Sequence, residues 1–381
     1  MKIIRPNVIT DAMLVSSDIP ETDYAEFAMG TTYASGARVM DSTGVEILTL
    51  DVAPATAWVA GRLLTGQTSS KTCRVVAQLT SLSYQIRERS GAFTLGEVVG
   101  VTGTAGELAD QGAAHPVVTV ATDKVHNIYE SLAAGNVSNY PPHDLLVTVP
   151  KWKLVSATNR WKVFDDKVGS QASKTTSMTF VLAPGRINSI AFLNLDATSI
   201  SIVQTDPVDG VTFSATYGLV SSAAIIDAYT YCFEPFVFLT HTAIFDLPPY
   251  ELATLSITIT NTGGIAKCGE IIMGLSTILG TTLYGPSIGI TDYSRKTADD
   301  EGNYSIAEGA FSRRGSYALK IPNTSINEIE RVLSLYRATP LVWVGIDEIA
   351  ATISYGIFKS FGIVISGPSY SDCSLDIEGL T

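Results

Sequence analysis

A chain of 381 residues with a formal net charge of −12 is too long for one small core and too acidic to offer the basic face that nucleic acid requires. Hydrophobic residues make up 46% and charged residues 16%, mean hydropathy is +0.24, and no run of about 18 apolar residues is present to span a membrane as a helix. The surplus apolar surface therefore belongs in cores or against other chains.

The N-terminus, MKIIRPNVIT, lacks the apolar stretch and cleavage site of a secretory signal, which implies synthesis in the cytoplasm. Residues 1–44 and 121–170 carry aromatics, Asn and turn formers and read as one small β module split by an insertion. The insertion, 45–120, is rich in Gly, Thr and Val. Within it, WVAGRLLTG (58–66) and FTLGEVVG (93–100) echo each other: an aromatic, then Gly, then a short apolar run ending in Gly. CRVVAQLTSLSYQIRERSG (73–91) between them reads as a hairpin, so the insertion is predicted to be a small β-barrel-like domain.

From 171 to 381 the pattern fits a β-sandwich with one covering helix. MTFVLAPG, SISIVQTD, LATLSITITNTGG and GIFKSFGIVISG are rich in β-branched or aromatic residues and bounded by turn formers. Alternation in LSITIT places Leu255, Ile257 and Ile259 on one face and Ser256, Thr258 and Thr260 on the other. Ser325 with Glu328 matches a capping box, and Ile326, Ile329, Val332, Leu333 and Tyr336 form one stripe before Pro340, which predicts a helix near 326–337. The predicted class is all-β.

Residues that could carry chemistry are sparse. Cys73, Cys232, Cys268 and Cys373 are far apart, and buried free thiols are expected. Gly285-Pro286-Ser287-Ile288-Gly289 matches G-x-S-x-G, but a nucleophile elbow needs a helix after the serine, and ITDYSRK has no helical period. His115, His126, His143 and His241 lack metal-ligand spacing. Asp299, Asp300, Glu301 and Asn303 could offer oxygen atoms to Ca²⁺, although a solvated loop is the commoner meaning. No spacing singles out a carboxylate pair for glycoside hydrolysis, and no P-loop or dinucleotide fingerprint occurs. No catalytic residue, metal ligand or cofactor is expected, and the chain reads as something other than an enzyme.

Two segments join across the insertion. DYAEFAMGTTYASGARVM (23–40) and VHNIYESLAAGNVSNYPPHDLLVTVPKWKLV (125–155) together run aromatic, G-x-x-Y-x-x-G, Val, Y-E-S, Asn, Pro-Pro and Trp. That order resembles the small chitin-binding-like modules, and in particular those near the start of tailed-phage tail proteins. The segment Thr158-Asn159-Arg160-Trp161-Lys162-Val163-Phe164-Asp165 is similar to the run that follows the Trp there. The insertion resembles a domain recurrent in phage structural proteins through Trp58, Gly61, Gly66, Thr68, Ser69, Gly91, Phe93, Gly96 and Glu97. ILGTTLYGPSIGITDYSRK (278–296) resembles a run of the same tail family. Two departures stand out. Phe27 occupies a position that is more often Trp, and Glu130, Ser131, Leu132 and Ala133 stand where sugar-binding modules carry exposed aromatics.

The resemblance implies a virion structural protein of a phage tail tip or baseplate, made in the host cytoplasm. Other tail and baseplate proteins would be its partners, and it would support fibres or receptor-binding parts. A homo-oligomer is expected, a trimer ahead of a hexamer. The alternative is a glycan-binding receptor-recognition protein of the tail that contacts a host surface glycan; a depolymerase ranks last. Tyr33, Tyr129, Trp152, Asn159, Arg160 and Trp161 are the candidate glycan-stacking or junction residues.

Overall fold

The structure is a computed structural model that describes residues 1–94, 97–102, 108–112, 117–120, 124–220, 226–233, 237–298, 304–347 and 349–380. The fold is all-β: half of the chain is strand, and helix is a minor component. It divides into two compact units, Glu21–Thr158 and a larger one made of Met1–Pro20 with Asn159–Thr381.

The larger unit is built on a ten-stranded antiparallel sheet. In order across it run Thr242–Ile244, Ser189–Leu193, Glu270–Ile278, Lys2–Pro6, Leu341–Val344, Ile353–Val364, Tyr370–Gly379, Phe311–Pro322 and Thr281–Thr282, with Ser287–Asp292 also paired to Phe311–Pro322. The first strand thus lies mid-sheet, with Ile3 opposite Thr277 on one side and Trp343 on the other. Central strands of this sheet are buried on both faces, and their sequences show it. In Leu341–Val344, Leu341 and Trp343 join the cluster under the helix, while Val342 and Val344 join the cluster on the opposite face. A strand covered twice reads as a continuous apolar run instead of an alternation.

A second antiparallel sheet of five strands, Gly210–Gly218, Ser199–Asp206, Thr254–Cys268, Ala172–Leu182 and Leu14–Ser17, supplies the other half of the sandwich. Leu255, Ile257 and Ile259 are buried here, and Ser256, Thr258 and Thr260 are half-buried, as the alternation predicts. They pack with Met178, Phe180, Ile200 and Ile202 against Ile190, Phe192, Ile271 and Met273 of the large sheet.

The helix spans Ile326–Leu335 and buries Ile329, Val332 and Leu333 against Leu319, Leu375 and Trp343. The capping box does not form. Ser325 ends a 3-10 turn, Asn323–Ser325, and its helical φ of −98° and ψ of −5° replace the extended backbone that lets a cap side chain reach back to the first turn. Two shorter helices that the apolar pattern had not marked occur at Pro141–Asp144 and Ala228–Phe233. The second carries Cys232, which is exposed, unlike the buried Cys73, Cys268 and Cys373.

The smaller unit contains a seven-stranded sheet ordered Leu108–Gly112, Val99–Thr102, Leu63–Gly66, Thr72–Gln78, Ser83–Arg87, Glu46–Thr49 and Val117–Val120. The predicted hairpin is the pair Thr72–Gln78 with Ser83–Arg87. Flanking residues form a three-stranded sheet, Trp152–Ala157, Asn127–Ser131 and Arg38–Asp41, and a pair, Thr32–Tyr33 with Asn136–Val137. The insertion has a core of its own around Trp58, Leu64, Val75, Tyr84 and Ile86. It also lends Val45 and Val76 to a cluster with Phe27, Val39, Tyr129, Tyr140 and Trp152. Insertion and flanks therefore share one apolar cluster within this unit.

Candidate functional site

The six residues singled out from sequence fall into two places. In the smaller unit, Tyr129 and Trp152 are buried, at 2% and 0% exposure, while Tyr33 is half-buried. Tyr33 packs edge-on to Trp152 at 5.2 Å between ring centroids and stacks on Phe27 at 5.7 Å. The Trp152 indole N–H donates to the Asn139 carbonyl at 2.8 Å, and the Tyr33 hydroxyl accepts from the Ala28 N–H at 2.8 Å. Burial pushes the Tyr129 phenol up to about 12, so it stays protonated at any ordinary pH. A sugar stacks on an exposed ring face, whereas Tyr33 and Trp152 pack on each other and on Phe27, and Tyr129 is buried.

A charged network lies against the same rings. Arg87 and Asp41 are buried as an ion pair, and the Tyr140 hydroxyl donates to Asp41 at 2.6 Å. Arg87 also donates to Glu26 Oε1 at 2.9 Å and sits 5.1 Å from the centre of the Tyr140 ring. Burial raises the Asp41 carboxyl above its ordinary value even though the Arg87 charge opposes the shift. Sequence reasoning missed this network because its members lie far apart along the chain and none carries a motif.

The other three residues belong to the larger unit. Asn159 makes a two-way clasp with Ser173, its amide donating to the Ser173 carbonyl at 2.8 Å and its oxygen accepting from the Ser173 N–H at 2.9 Å. Arg160 donates through Nε to the Ile19 carbonyl at 2.8 Å. Trp161, 7% exposed, meets Phe164 edge-on, and Phe164 meets Phe180 of the main core in the same way. All three residues fasten backbone or fill core.

The other motif residues do similar work. The Glu97 carboxylate accepts from the Thr68 and Ser69 N–H groups at 2.9 and 2.7 Å, from the Ser69 hydroxyl at 2.7 Å and from the Thr94 N–H at 2.6 Å. Burial opposes the charge, yet these bonds hold the carboxyl below the ordinary Glu value. Gly66 is glycine because a Cβ there would stand 2.6 Å from that carboxylate. In the D-Y-S-R-K run, Asp292 closes a turn by accepting from the Ser294 N–H and hydroxyl at 2.9 and 2.6 Å. Gly96, His115 and the acidic loop at Asp299, Asp300, Glu301 and Asn303 lie outside the described residues. Ser287 of the G-x-S-x-G match begins the strand Ser287–Asp292 and is followed by no helix, so no nucleophile elbow forms there.

What the larger unit does present is an exposed ribbon of mixed character, in which the Lys296 ammonium lies 3.7 Å from the centre of the Tyr304 ring. Beyond the pair formed by Ser287–Asp292 and Phe311–Pro322, the strands Arg295–Ala298 and Tyr304–Ala307 pair with each other and with no other strand among the described residues. All four residues of each are exposed, including Tyr304 and Ile306. On the preceding chain Ile290 and Tyr293 are exposed, and Tyr284 is fully so. Two-stranded ribbons are marginal in water without a surface to pack on. No helix among the described residues is long and apolar enough to cross a membrane. The chain matches no family model, and no curated protein matches it.

Proposed function

We propose that this chain is a structural protein of a phage tail tip or baseplate, a building block that binds other tail proteins. The observation that carries the reading is the exposed ribbon Arg295–Ala298 with Tyr304–Ala307, together with the exposed Tyr284, Ile290 and Tyr293 on the chain leading into it. Exposed aromatic and aliphatic side chains on strand pairs are common where a surface meets another protein. The motifs that resemble tail proteins act here as turn closures, clasps and core, which suits a scaffold. We place the ribbon against other copies in a closed ring, a trimer ahead of a hexamer.

The alternative, recognition of a host glycan through Tyr33, Tyr129, Trp152 and Trp161, gains nothing from their burial. Immunogold labelling of tailed particles, with antibody raised against the purified chain, tests the assignment. Gold at the tail end of the particle is the expected result, and particles that never label would overturn it. The interface has its own test, in which Tyr284, Ile290, Tyr304 and Ile306 are together replaced by Ser. The variant should melt like the parent yet fail to enter particles, and normal incorporation would remove the ribbon from the contact.

A further inference from the structure

A cleft of about 310 Å³ opens in the larger unit, lined by Asn194, His241, Phe311, Arg313, Ser354 and Tyr355. Its chemistry is set by Arg313. The guanidinium Nη1 donates to the Ala350 and Ile353 carbonyls at 3.2 and 3.3 Å, and Nη2 lies 3.1 Å from His241 Nδ1. Those bonds engage three of the five guanidinium N–H groups. The Nε–H and one Nη2–H meet no protein acceptor among the described residues. No carboxylate forms an ion pair with Arg313 among the described residues, and Glu308, at the cleft wall, is exposed and unpaired with it. A half-buried cation is thus left with two donors unspent.

His241 fixes the rest. An arginine can only donate, so Nδ1 of the ring is the acceptor and the ring proton sits on Nε2. Burial, with the Arg313 charge added, pushes the imidazole down to about 3, and the ring is neutral at physiological pH. Arg313 is therefore the one cation in the lining, with the exposed Glu308 carboxylate at the outer wall. Around Arg313 are the polar groups of Asn194, Ser354 and the His241 ring, together with the flat, half-exposed face of Phe311. The Tyr355 hydroxyl is held by Asp166 Oδ1 at 2.8 Å, which keeps the ring in the wall.

We infer that this cleft binds a monocarboxylate of single-ring size, a hexuronic acid residue of an acidic saccharide. The paired N–H groups of a guanidinium edge match the two oxygens of a carboxylate. A phosphate dianion would call for a second cation, which a neutral His241 does not supply. Neutral donors and acceptors suit ring hydroxyls, and an aromatic face suits the apolar side of a sugar. The volume lies at the small end of ligand pockets, enough for one ring. This site is separate from Tyr33, Tyr129, Trp152 and Trp161, and the tail assignment does not depend on it.

Titration of the full chain with glucuronate, followed by calorimetry or ligand-observed NMR, tests the inference. Glucuronamide, the neutral amide of the same ring, should bind at least about tenfold more weakly, as loss of one charge-assisted pair requires. Arg313→Gln should weaken glucuronate by a similar factor. Because Arg313 also ties down the Ala350 and Ile353 carbonyls, that variant could unfold, and the two ligands on the unaltered protein then decide alone. Equal binding of glucuronate and glucuronamide, or no binding of glucuronate at all, would overturn the assignment.

Discussion

The Arg87 guanidinium stands 2.8 Å from the Asp41 carboxylate, with both side chains shut off from water. Arg87 ends a strand of the seven-stranded sheet, and Asp41 ends a strand of the flanking three-stranded sheet. Removing one charge strands the other, so Arg87→Met should cost about 3–5 kcal/mol in urea unfolding of the full chain. The double variant Asp41→Leu/Arg87→Met should recover part of that loss, since the fully buried carboxylate goes too and only the part-exposed Glu26 loses its Arg87 bond. A single-variant loss below about 1 kcal/mol would mean that water reaches the pair.

Glu97 sets a pH dependence of the ordinary carboxylate sign. Its folded pKa lies below the unfolded value, so the unfolded chain binds the proton more readily. The contribution is present above the usual Glu range and is lost as pH falls through the lowered folded value. Glu97→Gln should cost about 1–3 kcal/mol at pH 7 and progressively less in acid. Parallel unfolding curves of parent and variant between neutral and acid pH check this; a constant difference would assign the effect to geometry instead of charge.

Glu270 has the opposite sign. Burial, with Asp165 and Asp166 nearby, pushes its carboxyl up to about 10, so the folded protein keeps a proton that the unfolded chain releases. Its effect is neutral below the unfolded value and grows more destabilising as pH rises towards about 10. Glu270→Gln, which keeps the shape and removes the titration, should stabilise the protein at pH 8 relative to the parent. At pH 4 it should change little. A thermal melt at the two pH values reads the difference, and a variant less stable at both would mean that the carboxyl is ionised in the fold.

Trp161→Ala should cost about 3–5 kcal/mol, the range for deleting a large buried aromatic. Calorimetry of the full chain is the measurement. A loss under about 1 kcal/mol would show that the indole contributes little to the core.

Gly274 faces the Arg5 carbonyl so closely that a Cβ would come within 1.7 Å of it. Gly274→Ala should therefore push the strand Lys2–Pro6 away from Glu270–Ile278. Amide exchange at Ile3 and Ile4 would speed up before the rest of the sheet does. Unchanged protection there would mean that the strand absorbs the methyl by sliding.

Much of the secondary structure was legible because it depends on local pattern. LSITIT alternates since one face of its strand meets Ile190 and Phe192 and the other does not. The stripe through Ile329, Val332 and Leu333 announces a helix on a sheet. The capping box misled because its spacing says nothing about the backbone angles that Ser325 adopts after a 3-10 turn. Pairings between distant residues left no local mark. Nothing near Val76 shows that it will touch Phe27, nothing near Arg87 names Asp41, and Arg313 gives no hint of His241. Alternation does show in SYALKI, where Tyr317, Leu319 and Ile321 turn inward. Counting back in steps of two reaches Arg313, and a charged residue on the inward side of a strand is a signal that could have drawn attention to the cleft.

The mid-sheet position of Lys2–Pro6 bears on how the protein is made. Its hydrogen-bonding partners, Ile278 and Val344 among them, leave the ribosome long after it does. At bacterial or eukaryotic speeds that delay is on the order of tens of seconds. Through that interval the strand waits for its full set of neighbours, while Glu21–Thr158, whose strand pairings among the described residues are all internal, can already close. A nascent chain stalled before residue 341 should hold a folded smaller unit and an open, chaperone-seeking Lys2–Pro6, and the great sheet should zip shut only once Tyr370–Gly379 has emerged.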